Sequence, residues 1–171
     1  MAIEVRPARP EEYEEAGRVT ALAYREFLRP NDTGDTGWED YLARIGDVAG
    51  RAGRTMVLVA VGEGRILGSV TLELDGRTEP DDDDPLPPDE AHVRMLGVHP
   101  EARRRGIARI LMEACADEAR KAGKRRITLN TTMRMRAAQA MYESLGFARM
   151  EDRVFPDGFV LLGYSRELEG A

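Results

Sequence analysis

Several features that define other classes of protein are missing from this sequence of 171 residues. It contains one cysteine, Cys115, so an internal disulfide is excluded and a reducing compartment such as the cytoplasm is expected. No apolar run approaches the roughly 20 residues that a membrane-spanning helix needs. The first residues also lack the charged-then-apolar pattern of a signal peptide. We therefore expect a cytoplasmic protein without a membrane partner.

An excess of positive charge and clusters of metal ligands are missing as well. The formal net charge of −6 argues against nucleic acid as a general partner. The two histidines, His92 and His99, have no further histidine or cysteine at ligand spacing, so the sequence predicts no metal site. Positive charge is concentrated locally in three consecutive arginines at 103–105, which suggests a small anion rather than a polyanion as ligand.

The stretch from 92 to 122 carries the most informative pattern. Val93, Met95 and the run 96–98 predict a mostly apolar strand, which His99-Pro100 ends. After the basic turn, apolar residues recur at the spacing of one helix face, namely at Ile107, Ile110, Leu111, Ala114 and Cys115. Cys115 is thus predicted to be a core residue rather than a nucleophile.

A strand, a basic turn containing glycine and a helix together form a potential anion site. The first N–H groups of a helix have no partner within the helix, and the helix dipole adds positive potential there. Gly106 and Ala108 have little or no side chain, so a phosphate can approach the backbone closely. The turn matches neither the G-x-x-x-x-G-K-[ST] loop nor the G-x-G-x-x-G fingerprint. The alternative is an ordinary basic start of a surface helix.

The rest of the chain predicts a single α/β (α+β) domain over 1–171. Further strands are predicted around residues 3–5, 56–61, 66–74, 127–130, 148–154 and 159–164, and further helices over 10–27, 36–50 and 137–145. The second of these helices is expected to start with a Thr36–Glu39 capping box and to end at Gly50. The proline-rich, acidic segment 75–89 is predicted to be a flexible loop. One strand–helix–strand crossover and a closing hairpin indicate a mixed sheet with helices on its faces.

Two blocks of the sequence resemble the GCN5-related N-acetyltransferase (GNAT) superfamily. Arg103-x-x-Gly106-x-Ala108 resembles the family's signature for acyl-CoA pyrophosphate, and the block from Ala138 to Phe147 resembles its A-x-x-L-Y-x-x-x-G-F motif. The resemblance implies a mostly antiparallel sheet of about six to seven strands with about four helices. Two central strands, at 92–98 and 126–130, would splay apart to hold acyl-CoA. The sequence departs from the family at Met135, where asparagine is common.

The same resemblance implies acetyl-CoA as cosubstrate, an amine acceptor and no metal, and it allows a homodimer. Main-chain groups at the end of the central strand would bind pantetheine, and N–H groups of the turn would hold the pyrophosphate. The positions implied in binding are Leu96, Gly97, Val98, Arg103, Arg104, Arg105, Gly106, Ile107, Ala108, Arg109, Asn130, Ala138 and Tyr142.

Acetyl transfer to an amine requires few catalytic side chains. The attacking amine must be neutral, so a base helps, and the departing thiolate needs a proton. Tyr142 matches the family tyrosine that supplies this proton, although it can also be a packed core residue. His92 stands where many members carry glutamate, and it suits a base and a structural polar residue equally. Glu90 is the alternative base, and Arg94 can pair with an acidic acceptor or with Glu90.

The sequence thus predicts an N-acetyltransferase that transfers acetyl directly to a primary amine of a small molecule, a peptide N-terminus or a lysine. The alternative is a catalytically weak acyl-CoA-binding regulatory module. His92, Arg94 and Met135 favour that alternative because they depart from common family residues, whereas Tyr142 favours catalysis. Aromatic residues that flank the first interhelical loop can border the acceptor pocket or belong to the core: Tyr24, Trp38 and Tyr41.

Overall fold

A computed structural model of the chain describes residues 2–25, 37–78, 85–132, 135–156, 158 and 160–168, without the side chains of 37 and 38. Its strands are β1 Glu4–Pro7, β2 Met56–Gly62, β3 Arg65–Glu73, β4 Glu90–Val98, β5 Arg126–Thr132, β6 Ala148–Arg149, β7 Arg153–Val154 and β8 Val160–Glu167. Its helices are α1 Tyr13–Arg25, α2 Gly37–Gly46, α3 Val48–Ala52, α4 Ile107–Lys121 and α5 Arg136–Ser144. Single 3₁₀ turns precede α1 and α4.

The described strands form one sheet in the order β1-β2-β3-β4-β5-β8-β6, and β7 also pairs with β8. Every pairing is antiparallel except that of β4 with β5. This parallel pairing extends only over Glu90–Val93 and the facing residues Arg126–Leu129. Beyond it the two strands continue without pairing to each other, so the sheet opens at its centre. The predicted mixed, mostly antiparallel sheet with splayed central strands is confirmed.

Helices cover both faces of the sheet because the strands alternate between two apolar sides. On one face, α1 and α3 pack against β2 and β3 around Val19, Val48 and Val59. On the other face, the apolar side of α4 predicted from its spacing lies against the sheet, with Leu111 and Cys115 fully buried. Ile110, which was predicted on that side, is more than one-third exposed instead.

A β-bulge interrupts β4 where the sheet opens. Ser69 pairs with Gly97 and Thr71 pairs with Arg94, so β4 contains one residue more than β3 over this interval. Met95 takes up the difference with a left-handed φ of 56°. As a result the Met95 side chain joins α2, in a cluster with Leu42 and Ile45.

The second predicted helix is divided in two, so its predicted end at Gly50 is wrong. α2 ends at Gly46, and α3 continues past Gly50, whose N–H donates to the Asp47 carboxylate at 3.0 Å. A Cβ on Gly17 would lie 2.0 Å from the Gly46 carbonyl oxygen, which shows how closely α1 approaches this break. The expected cap at Thr36 lies outside the described residues.

The described ends of the acidic segment 75–89 are anchored to the fold. Glu73 is fully buried and accepts hydrogen bonds from the Arg77 guanidinium at 3.0 Å and from the Thr78 N–H at 2.5 Å. At the other end, the Lys124 ammonium donates to the Pro88 carbonyl at 2.9 Å. The middle of the segment that was predicted to be flexible, residues 79–84, lies outside the described part of the chain.

Candidate active site

The turn before α4 presents a row of backbone N–H groups to solvent. Arg104 and Gly106 have left-handed φ angles of 66° and 77°, and Gly106 is the N-cap of α4 without a side-chain cap. The Ile110 N–H makes the first bond of the helix, to the Gly106 carbonyl at 3.1 Å. The N–H groups of residues 107–109 therefore precede the helical ladder, as an anion site requires. A Cβ built on Gly106 would meet nothing within 4 Å among the described residues, so this side of the turn is open.

The three consecutive arginines of this turn lie at the surface. Arg103, Arg104 and Arg105 are exposed. Arg109, in the first turn of α4, donates to the Ser144 hydroxyl at 2.7 Å and thereby links α4 to the end of α5. His99 is half-buried and has a local structural role, because its Nδ1 accepts from the Glu101 N–H at 3.1 Å. The turn thus lies between β4 and α4 in a fixed position.

Main-chain groups of β4 point into the opening of the sheet. The His99 N–H donates to the Leu67 carbonyl of β3 at 2.8 Å, so the main chain of His99 faces β3. Because main-chain groups alternate in direction along a strand, those of Val98 point the opposite way, toward β5. Leu96, on the bulge, has no register partner in either neighbouring strand of the described sheet. This stretch can therefore bond an extended ligand that lies between β4 and β5.

Tyr142 lies on the α4 side of the opening. It projects from α5 and is 5% exposed, with the rings of Phe147 and Tyr164 both 6.0 Å from its own, centroid to centroid. Burial raises the pKa of the Tyr142 hydroxyl, and the neighbouring Cys115 adds to the rise. Tyr142 is therefore a neutral phenol, able to donate a proton, throughout the neutral pH range.

His92 lies on the opposite face of β4, just before the opening. Its Nδ1 and the Thr128 hydroxyl of β5 are 2.7 Å apart, and Thr128 also lies 3.4 Å from the Ala91 carbonyl oxygen. The hydroxyl fixes the direction of the imidazole ring across the last paired rungs of β4 and β5. Thr128 was not singled out by the sequence, since a threonine in a strand carries no signal of its own.

Glu90 forms a structural ion pair. Its carboxylate accepts from Arg126 at 2.8 Å, and Arg126 also donates to Glu167 of β8 at 2.7 Å. This network lies at the start of β4, on the paired side of the opening. Of the two partners considered for Arg94, Glu90 is therefore engaged elsewhere.

A cluster of tyrosines lies beside Arg94 on the α1 side of the opening. Tyr24 and Tyr41 pack against the cluster that contains Met95. Burial raises the pKa of the Tyr24 hydroxyl, and the nearby Tyr41 and Tyr142 add to the rise. The positive charges of Arg94 and Arg51 act in the opposite direction. Tyr142, on the other face, is thus close enough to Tyr24 to contribute to its raised pKa.

The remaining predicted binding positions surround the far end of the opening. Asn130 is exposed on β5, and Ala138 is half-buried on α5. Met135 precedes α5 as its N-cap without a side-chain hydrogen bond to the helix. One polar group was missed from the sequence: Thr131 is 4% exposed, and its hydroxyl has no hydrogen-bond partner within the described structure.

The described residues contain no group of three or more histidine, cysteine, aspartate or glutamate side chains that could hold a metal ion. Cys115 is fully buried, and burial raises the pKa of its thiol, which suits the predicted core position. None of the helices in the described ranges has both the length and the apolar character to cross a membrane.

Comparison with known families adds a decisive observation. A family model named "Acetyltransferase (GNAT) family" matches residues 18–147, a span that contains the turn before α4, the opening of the sheet and Tyr142. The chain belongs to the GNAT family. The predicted family and fold class are thus confirmed. The members of this family are acetyltransferases, which is the predicted class of enzyme, and their cosubstrate is acetyl-CoA.

Individual GNAT relatives match more narrowly in sequence than in fold. The chain is 41% identical over 59 residues to the ribosomal protein bS18-alanine N-acetyltransferase of Escherichia coli K12. These 59 residues are 34% of this chain and 40% of that protein. The crystal structure of the Escherichia coli ribosomal-protein-S18-alanine N-acetyltransferase has a TM-score of 0.70 at 20% identity, covering 99% of this chain and 96% of that chain. A putative acetyltransferase of Salmonella typhimurium, solved with acetyl-CoA, has a TM-score of 0.68 at 21% identity, covering 100% and 96%. These two structures share the GNAT fold with this chain.

Proposed function

We propose that the protein transfers the acetyl group of acetyl-CoA directly to a primary amine. The observation that carries this proposal is the opening between β4 and β5, which has the open N–H turn at one end and Tyr142 and His92 on its two sides. An opening with an anion site at its end and a tyrosine hydroxyl on one of its faces suits an extended thioester that ends in a pyrophosphate.

Binding of acetyl-CoA would begin at the turn. The N–H groups of residues 106–109 and the arginines 103–105 would hold the pyrophosphate, supported by the dipole of the 15-residue α4. The outward-pointing main chain of Leu96 and Val98 would bond the pantetheine amides. A main-chain N–H at the bulge, where Met95 has a left-handed φ of 56°, would donate to the thioester carbonyl as negative charge develops on it.

Transfer then requires two proton movements. The amine nitrogen attacks the thioester carbonyl carbon, the C–S bond breaks, and the amine loses a proton. We assign this proton to the His92 imidazole, directly or through water, since Thr128 holds its ring beside the opening. The Tyr142 hydroxyl gives a proton to the departing thiolate. Glu90 is the weaker candidate for the base because Arg126 holds its carboxylate at the paired end of β4.

The direct test is thiol release from acetyl-CoA in the presence of a panel of amines. The panel should contain amino acids, small aliphatic amines, antibiotics and peptides with free N-termini or lysines. We expect release that depends on the acceptor, with an equal amount of acetylated amine. Calorimetric binding of acetyl-CoA without release for any amine would instead support the acyl-CoA-binding regulatory module.

A further inference from the structure

Arg94 differs from the other buried or half-buried cations on its face of the sheet. Arg51 donates to the Thr71 hydroxyl at 3.0 Å and to the carbonyls of Arg44 and Ile45 at 2.9 and 2.8 Å, so the C-terminal end of α2 compensates its charge. Arg77 pairs with Glu73 at 3.0 Å. Arg94 is half-buried and makes no hydrogen bond or ion pair within the described residues.

Within the described ranges, the side chains close to Arg94 do not neutralise it. The positive charge of Arg94 lowers the pKa of the Tyr24 hydroxyl, but burial raises this pKa by more. Tyr24 is therefore a neutral phenol, which cannot compensate the charge of Arg94. Arg51 adds a second positive charge to the same surroundings. A partly desolvated guanidinium without a partner is unfavourable, and a bidentate carboxylate is its best complement.

The position of Arg94 relates this charge to the reacting amine. His92 and Arg94 are two residues apart on a regular part of β4 and face the same side, opposite Glu73 and Thr71 of β3. Two residues of a strand span about 6.5 Å. Side chains at this separation can contact two groups of one small molecule, with its amine at His92 and an anionic group at Arg94.

From this juxtaposition we propose that the acceptor is a small amine with a carboxylate close to its amino group, as in an amino acid, and that Arg94 binds the carboxylate. This inference rests on the proposed acetyltransferase function and specifies its substrate class. It differs from acetylation of a protein N-terminus, where the carboxylate next to the amine has become an amide.

The test compares amino acids with their amides, which differ only at the carboxyl group. Small, apolar, acidic and aromatic amino acids and their amides should be assayed as acceptors in thiol release. We expect kcat/KM to favour the acids by about ten- to a hundredfold, the value of a charge-assisted hydrogen bond. Amidation lowers the amine pKa and increases the share of free amine, so a preference for the acid cannot come from amine titration.

Variants of Arg94 connect this preference to one side chain. Arg94→Gln should remove the preference for acids while leaving acetyl-CoA affinity unchanged, and Arg94→Lys should keep part of the preference. Arg18→Gln removes the same charge from an exposed position on α1 and should change nothing. Equal use of acids and amides, or an unchanged preference in Arg94→Gln, would overturn the assignment, as would better turnover of peptides with neutral N-terminal residues.

A binding measurement tests Arg94 independently of turnover. N-acetyl amino acids and N-acetyl amino acid amides should be titrated into the protein saturated with CoA. We expect the N-acetyl amino acids to bind the parent protein more tightly than their amides do, and to lose this advantage in Arg94→Gln. This result supports the proposal even if no amine is acetylated, and in that case only the proposed catalytic function fails. Absence of any difference in binding overturns the Arg94 assignment.

Discussion

Tyr142 combines a core position with the catalytic role that we propose for it, and substitution can separate the two. Tyr142→Phe retains the ring that packs on Phe147 and Tyr164 and removes the hydroxyl alone. We expect unchanged folding and acetyl-CoA affinity, with kcat lower by about ten- to a thousandfold, the usual range for a general acid. Because burial raises the pKa of Tyr142, the parent enzyme should not lose its acid as the pH rises to about 9. A Phe variant with the parent rate would show that the thiolate leaves without help from this residue.

The roles of His92 and Glu90 can be distinguished by replacing each with glutamine, which can form hydrogen bonds but cannot accept the proton. His92→Gln retains a hydrogen-bonding group next to Thr128 but cannot accept a proton, so kcat should fall by about a hundredfold. Glu90→Gln weakens the pair with Arg126, so it should lower the thermal stability more than kcat. One acceptor must be used throughout, since its amine also titrates. The reverse pattern in the two variants would make Glu90 the base.

The buried hydroxyl of Thr131, for which the described residues offer no hydrogen-bond partner, predicts an unusual response to substitution. Removal of a buried hydroxyl without a partner should raise the free energy of unfolding of the ligand-free protein, by about 1 kcal/mol in Thr131→Val. Thr128→Val is the matched control in the same strand, where the hydroxyl is bonded to His92 and the protein should be destabilised. If acyl-CoA supplies the missing partner of Thr131, its stabilising effect should be smaller in Thr131→Val. Chemical denaturation with and without CoA measures both quantities.

At the level of elements, the turn into α4 can be tested through its backbone conformation. Gly106 has a φ of 77° with open space where a Cβ would stand, so Ala is strained there, whereas Asn tolerates this conformation better. Both substitutions would place a Cβ against the pyrophosphate in the proposed site, so both should weaken CoA binding at least about tenfold. Ala should lower the stability by about 1 kcal/mol more than Asn does.

A second glycine provides the control for strain at Gly106. Gly64, in the hairpin between β2 and β3, has a φ of 72° and equally open surroundings among the described residues. Gly64→Ala should lower the stability by a similar amount without any effect on CoA affinity in calorimetry. Parent affinity in both Gly106 variants would exclude the turn as the pyrophosphate site.

At the level of the whole molecule, the sequence predicted those features that depend on one segment of the chain and not on its neighbours. The strand of β4, the basic turn and the apolar side of α4 follow from periodicity and from Gly106, and the two family blocks identified the fold. The bulge at Met95 and the break between α2 and α3 could not be predicted, because each depends on how a segment meets its neighbours. The contrast between Arg51, which the end of α2 compensates, and Arg94, which has no partner among the described residues, is likewise a property of packing.

The opened sheet divides the molecule into two halves that share few main-chain bonds. Strands β1–β4 form one antiparallel half and β5–β8 form the other. In the described sheet, four residue pairs, from Glu90–Arg126 to Val93–Leu129, join the two halves, and the Arg125 N–H adds a bond to the Asp89 carbonyl at 2.7 Å. A ligand that bonds the main chain along the opening should therefore act as an additional connection. We expect CoA to slow amide hydrogen exchange at residues 95–98 and 130–132, and to stabilise the fold by about 2.7 kcal/mol at a hundred times its dissociation constant.

Fragments of CoA show which part of the ligand makes this connection. An adenosine diphosphate moiety without pantetheine should protect the amides of the turn at 106–109 and leave those at 95–98 and 130–132 unchanged. Pantetheine should have the opposite effect at high concentration, because it reaches the opening without the anion site. In Gly106→Asn, CoA should protect the same amides as in the parent protein, but only at higher concentration. Protection confined to the turn with intact CoA would mean that the opening between β4 and β5 does not hold the pantetheine arm.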